Sequence, residues 1–122
     1  MIFGIGTDII EIDRIKKAIE SEGFVKKVFC DEEISYLKDK NFSPFTSAGM
    51  FAAKEAVSKA LGTGFSGFTA KDICINHEKN GKPVVQLLNE AKEYADKEGI
   101  KKIHLSISHS KDNAIAFAAA EK

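Results

Sequence analysis

The sequence predicts an α+β fold in which early helices pack on a mainly antiparallel sheet. Helical patterns concentrate in the first half of the chain, whereas the alternating patterns typical of strands dominate the second half. Asn80-Gly81 and the run 111–113 are turn sequences between alternating segments, so each indicates an antiparallel hairpin. With 122 residues, 43% of them apolar, the chain is expected to form one domain, residues 1–122.

The first element should be a mostly buried strand over residues 2–8, because apolar residues are too dense there for a surface strand. Asp8 is expected where this strand ends. A helix should follow over residues 12–22, with isoleucines at helical spacing on its inner face and Gly23 as its stop.

Two further helices are predicted in the middle of the chain. Asp31 can cap a helix over residues 31–39. The pair Ser43-Pro44 is a favourable start for a helix over residues 44–61, and Gly62 is well placed to end it.

The remaining elements are expected to alternate between strands and one helix. Gly99 should close that helix, which precedes the final hairpin. The predicted ranges are strands at 72–77 and 83–87, a helix at 89–98, and strands at 103–108 and 114–120.

Composition excludes several functional classes. The formal net charge is zero, so charge gives no argument for a nucleic-acid or anionic-membrane partner. Cys30 and Cys74 lack Cys-x-x-Cys spacing, which disfavours a zinc site. The sequence contains two cysteines, no run of about 20 apolar residues and no basic segment at its start. We therefore expect a cytoplasmic protein whose cysteines are reduced.

Glu55 and Lys59 are the most informative pair, since they lie one turn apart on the third predicted helix. The carboxylate could hold a hard metal ion while the ammonium faces a phosphorylated ligand. The loop Gly62-Thr63-Gly64 would leave room for a ligand beside the backbone. An exposed, salt-bridged helix is the competing interpretation.

Asp8 is a second candidate for the same site. A carboxylate at the end of a buried strand needs a cationic partner, because its desolvation costs several kcal/mol. Magnesium, which typically takes one or two carboxylates together with phosphate oxygens and waters, would suit Asp8 and Glu55. An aspartate that caps a helix or a turn is the alternative.

His109 and Ser110 lie at the end of a strand in which apolar and polar residues alternate. From a strand end, the imidazole could reach into a cleft. A structural or solvated histidine is the alternative.

In this order along the chain, three segments resemble the holo-acyl-carrier-protein synthase family of 4′-phosphopantetheinyl transferases. They are residues 4–15 (Gly-Ile-Gly-Thr-Asp-Ile-Ile-Glu-Ile-Asp-Arg-Ile), the run 51–64, and Ser106-Ile107-Ser108-His109; Gly81-Lys82-Pro83 also fits. The resemblance spans essentially the whole chain. Departures are Met50 where the family commonly has arginine, Phe29 to Glu33 where it often has Phe-Thr-x-x-Glu, and Lys26 and Lys27 where arginine is common.

The resemblance implies transfer of 4′-phosphopantetheine from coenzyme A to a serine of apo-acyl carrier protein, releasing adenosine 3′,5′-bisphosphate, in fatty acid biosynthesis. It implies catalytic roles for Asp8, Glu55 and Lys59, with Mg²⁺ on the two acids. The coenzyme A contacts it implies are Lys59, Gly62, Thr63, Gly64, His109 and Ser110. The general base stays open between a carboxylate of the site and a water molecule.

The resemblance also implies partners and an assembly. A basic face comprising Arg14, Lys17, Lys26 and Lys27 would dock the acidic carrier protein, and Arg14 is the chain's single arginine. A homotrimer with active sites at subunit interfaces is expected. Two other classes stay open at this point: a non-catalytic module that binds coenzyme A or a nucleotide, and a magnesium-dependent phosphohydrolase.

Overall fold

The computed structural model describes residues 1–122. It confirms an α+β architecture of helices and antiparallel strands. In chain order the elements are β1 (Ile2–Glu11), α1 (Ile12–Ala18), α2 (Glu22–Val28), α3 (Asp31–Asp39), α4 (Pro44–Ala60), β2 (Ile73–His77), β3 (Pro83–Leu87), α5 (Asn89–Glu98), β4 (Lys102–His109) and β5 (Asn113–Glu121). A short 3₁₀ turn, Ala70–Asp72, precedes β2.

The strands form two antiparallel sheets. The larger has the order β1-β5-β4, so the first and last strands of the chain are neighbours, and the smaller is the β2-β3 hairpin. None of the helices is long and apolar enough to cross a lipid bilayer.

Helix α4 lies across β1 and β5 and forms the centre of the molecule. Its buried alanines meet the alternate, fully buried alanines of β5. Gly4 and Gly6 allow β1 to approach the helix, because a Cβ at Gly6 would lie 2.7 Å from the backbone nitrogen of Ala60. Any side chain at these two positions would therefore push the sheet away from α4.

The first helical segment differs from the prediction. Residues 12–22 do not form one helix: α1 ends at Ala18, and a separate α2 begins at Glu22. Gly23 does not stop a helix but lies in the first turn of α2. The reason is local, since the Ser21 hydroxyl accepts a hydrogen bond from the Phe24 backbone nitrogen at 3.2 Å and so starts a new helix.

Strand β1 also differs, in length and in burial. It continues to Glu11 because residues 9–11 pair with β5, so Asp8 lies inside the strand and not at its end. The prediction of a mostly buried strand is wrong for the isolated chain. One face of β1 meets α4, whereas Ile5 and Ile9 on the other face are 62% and 65% exposed.

The start of α3 corrects two expectations. Cys30, not Asp31, is the N-cap, and the Glu33 side chain accepts a hydrogen bond from the Cys30 backbone nitrogen at 2.9 Å. Cys30 and Cys74, expected to be separate reduced thiols, are joined in a disulfide. The two cysteines meet because α3 begins against β2.

The later elements follow the prediction closely. Helix α4 begins at Ser43-Pro44, and α5 ends at Gly99, whose φ of 78° is the left-handed conformation that favours glycine. Both hairpins are present. Leu61 is the C-cap of α4, and Gly62, which has a positive φ of 81°, follows it directly.

Candidate active site

Asp8 and Lys59 meet where β1 crosses α4. The Lys59 Nζ atom lies 3.3 Å from Asp8 Oδ1 and donates a hydrogen bond to the Thr7 carbonyl oxygen at 3.0 Å. The Asp8 side chain is 18% exposed and that of Lys59 is 53% exposed. This contact depends on the glycines of β1, because Gly6 packs directly against the backbone and Cβ of the last turn of α4.

Glu55 lies one turn before Lys59 and is half-buried. Burial raises the pKa of Glu55, and the nearby Asp8 carboxylate raises it further. Lys59 and Arg14 act in the opposite direction. Four charged side chains from β1, α1 and α4 therefore lie within electrostatic reach of one another.

The two acids suit a hard divalent cation. Their donor atoms are carboxylate oxygens, the ligands that magnesium prefers. A cation between them would remove the repulsion that raises the pKa of Glu55. Lys59 contacts Asp8 at Oδ1 alone, so the Asp8 carboxylate would still be able to help hold such an ion.

The loop that follows α4 starts beside Lys59. Gly62 and Gly64 have φ values of 81° and 58°, and the Thr63 hydroxyl donates a hydrogen bond to the Gly64 carbonyl oxygen at 2.8 Å. A Cβ at either glycine would have open space around it, so the backbone conformation, not crowding, selects glycine. Phe68 is buried and anchors the far end of the loop in the core.

His109 is distant from the acids within one chain. It ends β4, which is separated from β1 by β5, so the strands that carry His109 and Asp8 lie roughly 10 Å apart. The His109 ring lies 5.1 Å from the ring of Phe45. Ser110 accepts a hydrogen bond from the Asn113 backbone nitrogen at 3.3 Å and so stabilises the β4-β5 turn.

A cleft of about 230 Å³ opens beside His109. Its walls carry aromatic and imidazole rings, with an apolar residue at its base: Tyr36, Phe45, His77, His109 and Met50. The rings of Tyr36 and His77 are stacked 4.1 Å apart, and burial lowers the pKa of His77. The cleft is therefore suited to a flat ring system.

The basic side chains of the predicted docking face are exposed on two helices. Arg14 and Lys17 lie on α1, opposite its buried isoleucines, and Lys26 and Lys27 lie in the last turn of α2. Lys26 pairs with Glu22 at 2.9 Å, but both side chains are largely exposed, so this pair competes only weakly for the lysine.

Sequence reasoning missed the ion pair directly behind the site. Glu33 and Lys54 are fully buried, with Lys54 Nζ 2.6 Å from Glu33 Oε1, and Lys54 directly precedes Glu55. Burial raises the pKa of Glu33 and lowers that of Lys54. The available signal was Glu33 three residues after Cys30, the spacing of a helix capping box.

Comparisons with known proteins agree along the whole chain. Residues 4–118 match the model of the 4′-phosphopantetheinyl transferase superfamily. The chain is 56% identical over 122 residues to a holo-[acyl-carrier-protein] synthase of Clostridium kluyveri, an alignment that covers 99% of this chain and 91% of the relative.

Solved structures give the same family. The chain superimposes on the holo-[acyl-carrier-protein] synthase of Neisseria meningitidis with a TM-score of 0.92 at 34% identity, covering 100% of both chains. It is also similar to the Helicobacter pylori synthase solved in complex with coenzyme A, with a TM-score of 0.84 at 35% identity, covering 96% of this chain and 99% of that one.

Proposed function

The chain belongs to the 4′-phosphopantetheinyl transferase superfamily, and on that premise we propose how it uses coenzyme A and a carrier protein. It is an enzyme that transfers the 4′-phosphopantetheine group of coenzyme A to a serine of apo-acyl carrier protein, with adenosine 3′,5′-bisphosphate as the other product. Residues 1–122 act as one transferase domain. The observation that carries the proposal is the convergence of Asp8, Glu55 and Lys59 where β1 crosses α4.

The reaction requires charge neutralisation and alignment more than covalent help from the protein. The serine oxygen attacks the β-phosphorus of the coenzyme A pyrophosphate, and negative charge grows on the departing phosphate. Asp8 and Glu55 would hold Mg²⁺, which supplies neutralisation of the pyrophosphate charge when bound. The paired acids and the raised pKa of Glu55 support this assignment.

Lys59 acts on the leaving group. The Lys59 side chain is 53% exposed at the edge of the acidic pair, so its ammonium can contact a phosphate oxygen without leaving Asp8 uncompensated. Because the charge on the leaving phosphate grows in the transition state, this contact lowers the barrier more than it strengthens binding of coenzyme A. The Gly62-Thr63-Gly64 backbone borders the same phosphate region.

His109 and the cleft beside it bind the adenosine end of coenzyme A. The rings of Tyr36, Phe45 and His77 provide stacking surfaces for a purine, and His109 contacts its 3′-phosphate. Ser110 positions the turn that carries His109. These contacts should chiefly affect coenzyme A affinity.

Arg14, Lys17, Lys26 and Lys27 form the docking surface for the acidic carrier protein. Their exposure on α1 and α2 supports this role, and Arg14 is close enough to Glu55 to affect its pKa. Docking there would bring the acceptor serine towards the acidic pair. Electrostatic complementarity of this kind raises association rates and depends on salt.

We assign the protein to a homotrimer whose active sites combine residues of two copies. One feature supports this. The β1 and β5 strands expose an apolar face formed by Ile5, Ile9, Ile115 and Phe117, which is unusual for an isolated domain and suited to packing against another copy of the chain.

The decisive experiment incubates the protein with coenzyme A, Mg²⁺ and apo-carrier protein and follows the phosphopantetheine increment by mass spectrometry. We expect transfer to the acceptor serine, dependent on the metal and absent in Asp8→Asn and Glu55→Gln. Glu90→Gln, an exposed acid on α5, is the matched control. Release of adenosine 3′,5′-bisphosphate at the same rate without carrier protein would instead identify a hydrolase.

Mixing two impaired variants tests the shared site, at a coenzyme A concentration low enough that His109→Ala has little activity. In a trimer with head-to-tail interfaces, an equal mixture of Asp8→Ala and His109→Ala chains should regain activity in about a quarter of its sites. Phe117→Glu should abolish both the trimer and this recovery, whereas Val84→Glu, a similarly exposed position on β3, should not. No recovery from mixed trimers would place both residues in one chain's site.

A cytoplasmic setting accompanies this function. There, glutathione and thioredoxin keep most thiols reduced. The two cysteines of the chain would then be reduced unless an oxidising co-reactant is present.

A further inference from the structure

Cys30 and Cys74 join two elements at one buried position. Cys30 is the N-cap of α3 and is 8% exposed, and Cys74 is in β2 and fully buried. Their Cα atoms are 6.2 Å apart, within the range that a disulfide can span. The chain contains no other cysteine, so this is its only means of forming an intramolecular disulfide.

The backbone around both cysteines is tied to the Glu33–Lys54 pair. Glu33 accepts hydrogen bonds from the backbone nitrogens of Cys30 and Ile75, each at 2.9 Å. Lys54 donates to Glu33 and to the carbonyl oxygen of Ile73. The residues on both sides of Cys74 thus contact the same ion pair as the amide of Cys30. Lys54 extends this network to α4, one residue before Glu55.

A metal ion is a poorer occupant of this position than a disulfide. Donor atoms of Cys30, Glu33 and Cys74 lie within 4.8 Å of one another. However, both Glu33 oxygens already accept hydrogen bonds, one of them from an ammonium. Two sulfurs would remain, whereas structural zinc sites require four ligands.

Cys30 lies nearer the surface than Cys74. Cys30 lines an open surface cleft of about 450 Å³, together with Asp31, Lys71, Asp72 and Asn89. Cys74 is shielded behind it. Exchange should therefore begin at Cys30 and finish at Cys74.

We propose that Cys30 and Cys74 are a reversible thiol–disulfide modification site whose oxidation fastens the start of α3 to β2 behind the catalytic helix α4. The co-reactant is a low-molecular-weight disulfide. The Cys30 thiolate attacks it, forms a mixed disulfide and releases one thiolate. The Cys74 thiolate then attacks the Cys30 sulfur and releases the second. Two protein thiols lose two protons and two electrons, and the small disulfide becomes two thiols.

The consequence is a change in stability without a change in the chemistry of the site. Closing a loop of this length restricts the unfolded chain, so the oxidised protein should melt roughly 5–15 °C higher than the reduced protein. The amides of Cys30 and Ile75 should exchange hydrogen more slowly in the oxidised form. Asp8, Glu55 and Lys59 do not contact either sulfur, so transfer at low temperature should stay within about twofold.

The test compares the protein equilibrated with excess dithiothreitol and with oxidised glutathione, followed by acid quenching, unfolding and alkylation. We expect two alkylated thiols in the reduced sample. The oxidised sample should have none, with a monomer mass lower by two hydrogens. Cys30→Ala and Cys74→Ala should each abolish the difference in melting temperature between the two conditions.

Three outcomes would overturn the proposal: two free thiols after oxidation, glutathione adducts or disulfide-linked dimers as the only products, or equal melting temperatures for both wild-type forms. These readouts do not use transferase activity. They therefore fail or succeed independently of the proposed function.

Discussion

Replacing Lys54 by methionine tests whether the buried ion pair supports the catalytic helix. Methionine retains an apolar stem of similar length but removes the ammonium that lies 2.6 Å from Glu33 Oε1. Glu33 would keep only the hydrogen bonds from the backbone nitrogens of Cys30 and Ile75. The variant therefore leaves a carboxylate in the core without a cation.

The free energy of unfolding that Lys54→Met should lose is large relative to the stability of a small domain. Removing one partner of a buried ion pair typically costs about 3–5 kcal/mol. Domains have a free energy of unfolding of only about 5–15 kcal/mol, so the melting temperature should fall by roughly 10–20 °C. Proton uptake limits the loss, because burial already raises the pKa of Glu33 and removal of Lys54 raises it further.

The dependence of folding stability on pH follows from the raised pKa of Glu33. A carboxyl group whose pKa is raised by folding favours the folded state at low pH, and this contribution is lost as the pH rises through the folded pKa. The deficit of Lys54→Met relative to wild type should therefore shrink as the pH is lowered from about 8 to about 5. Urea unfolding of both proteins at both pH values measures this difference in the free energy of unfolding.

Two further variants make the test specific. Glu33→Gln combined with Lys54→Met removes both charges and should recover much of the loss. Lys92→Met breaks an exposed pair with Asp96 at 3.1 Å and should cost at most about 1 kcal/mol. If Lys54→Met were no more destabilised than Lys92→Met, the buried pair would not be what holds α3, β2 and α4 together.

Three further predictions concern the site. Asp8→Ala and Glu55→Ala should each abolish most transfer in the carrier-protein assay while the fold stays intact, and near-normal activity in either variant would contradict the metal assignment. Glu55→Gln should have a higher melting temperature than wild type at pH values above the ordinary glutamate range, because the raised pKa of Glu55 shows that its charged form is unfavourable in the folded protein. Steady-state kinetics should show that Lys59→Ala lowers kcat more than it weakens coenzyme A binding, whereas His109→Ala chiefly weakens coenzyme A binding. If Lys59→Ala changed only KM, Lys59 would contact the phosphate in the ground state without stabilising the transition state. Arg14→Ala should weaken binding of the carrier protein by roughly 1.5–3 kcal/mol, and added salt should reduce this difference from wild type when both affinities are measured at two salt concentrations. If the variant lost coenzyme A binding instead, Arg14 would belong to the nucleotide pocket.

Local sequence signals predicted much of the fold. Ser43-Pro44 and Gly99 mark the start of α4 and the end of α5, and Asn80-Gly81 marks a hairpin, because each acts through its own backbone conformation. Ser21 is a signal of the same kind that was overlooked. It divides the first predicted helix into α1 and α2.

The site was predictable only in part. Glu55 and Lys59 are one helical turn apart, so their proximity follows from the helix alone. The contact of Lys59 with Asp8 and the proximity of Glu55 to Asp8 need the close approach of β1 to α4. The glycines of β1 permit this approach, but their presence in the sequence does not predict it. Contacts between Cys30 and Cys74 depend on how α3 meets β2, and no periodicity in the sequence encodes that distance.

The pairing of β1 with β5 has a consequence for folding during synthesis on the ribosome. The partner of the first strand lies at residues 113–121, about a hundred residues later. At about 5–20 residues per second, β1 emerges roughly 5–20 s before its only sheet neighbour exists. During that interval the nascent chain presents an unpaired strand rich in isoleucine, the kind of segment that chaperones hold and that aggregates when they do not. Translation that stalls before residue 113 would leave the central helix without the middle strand on which it packs.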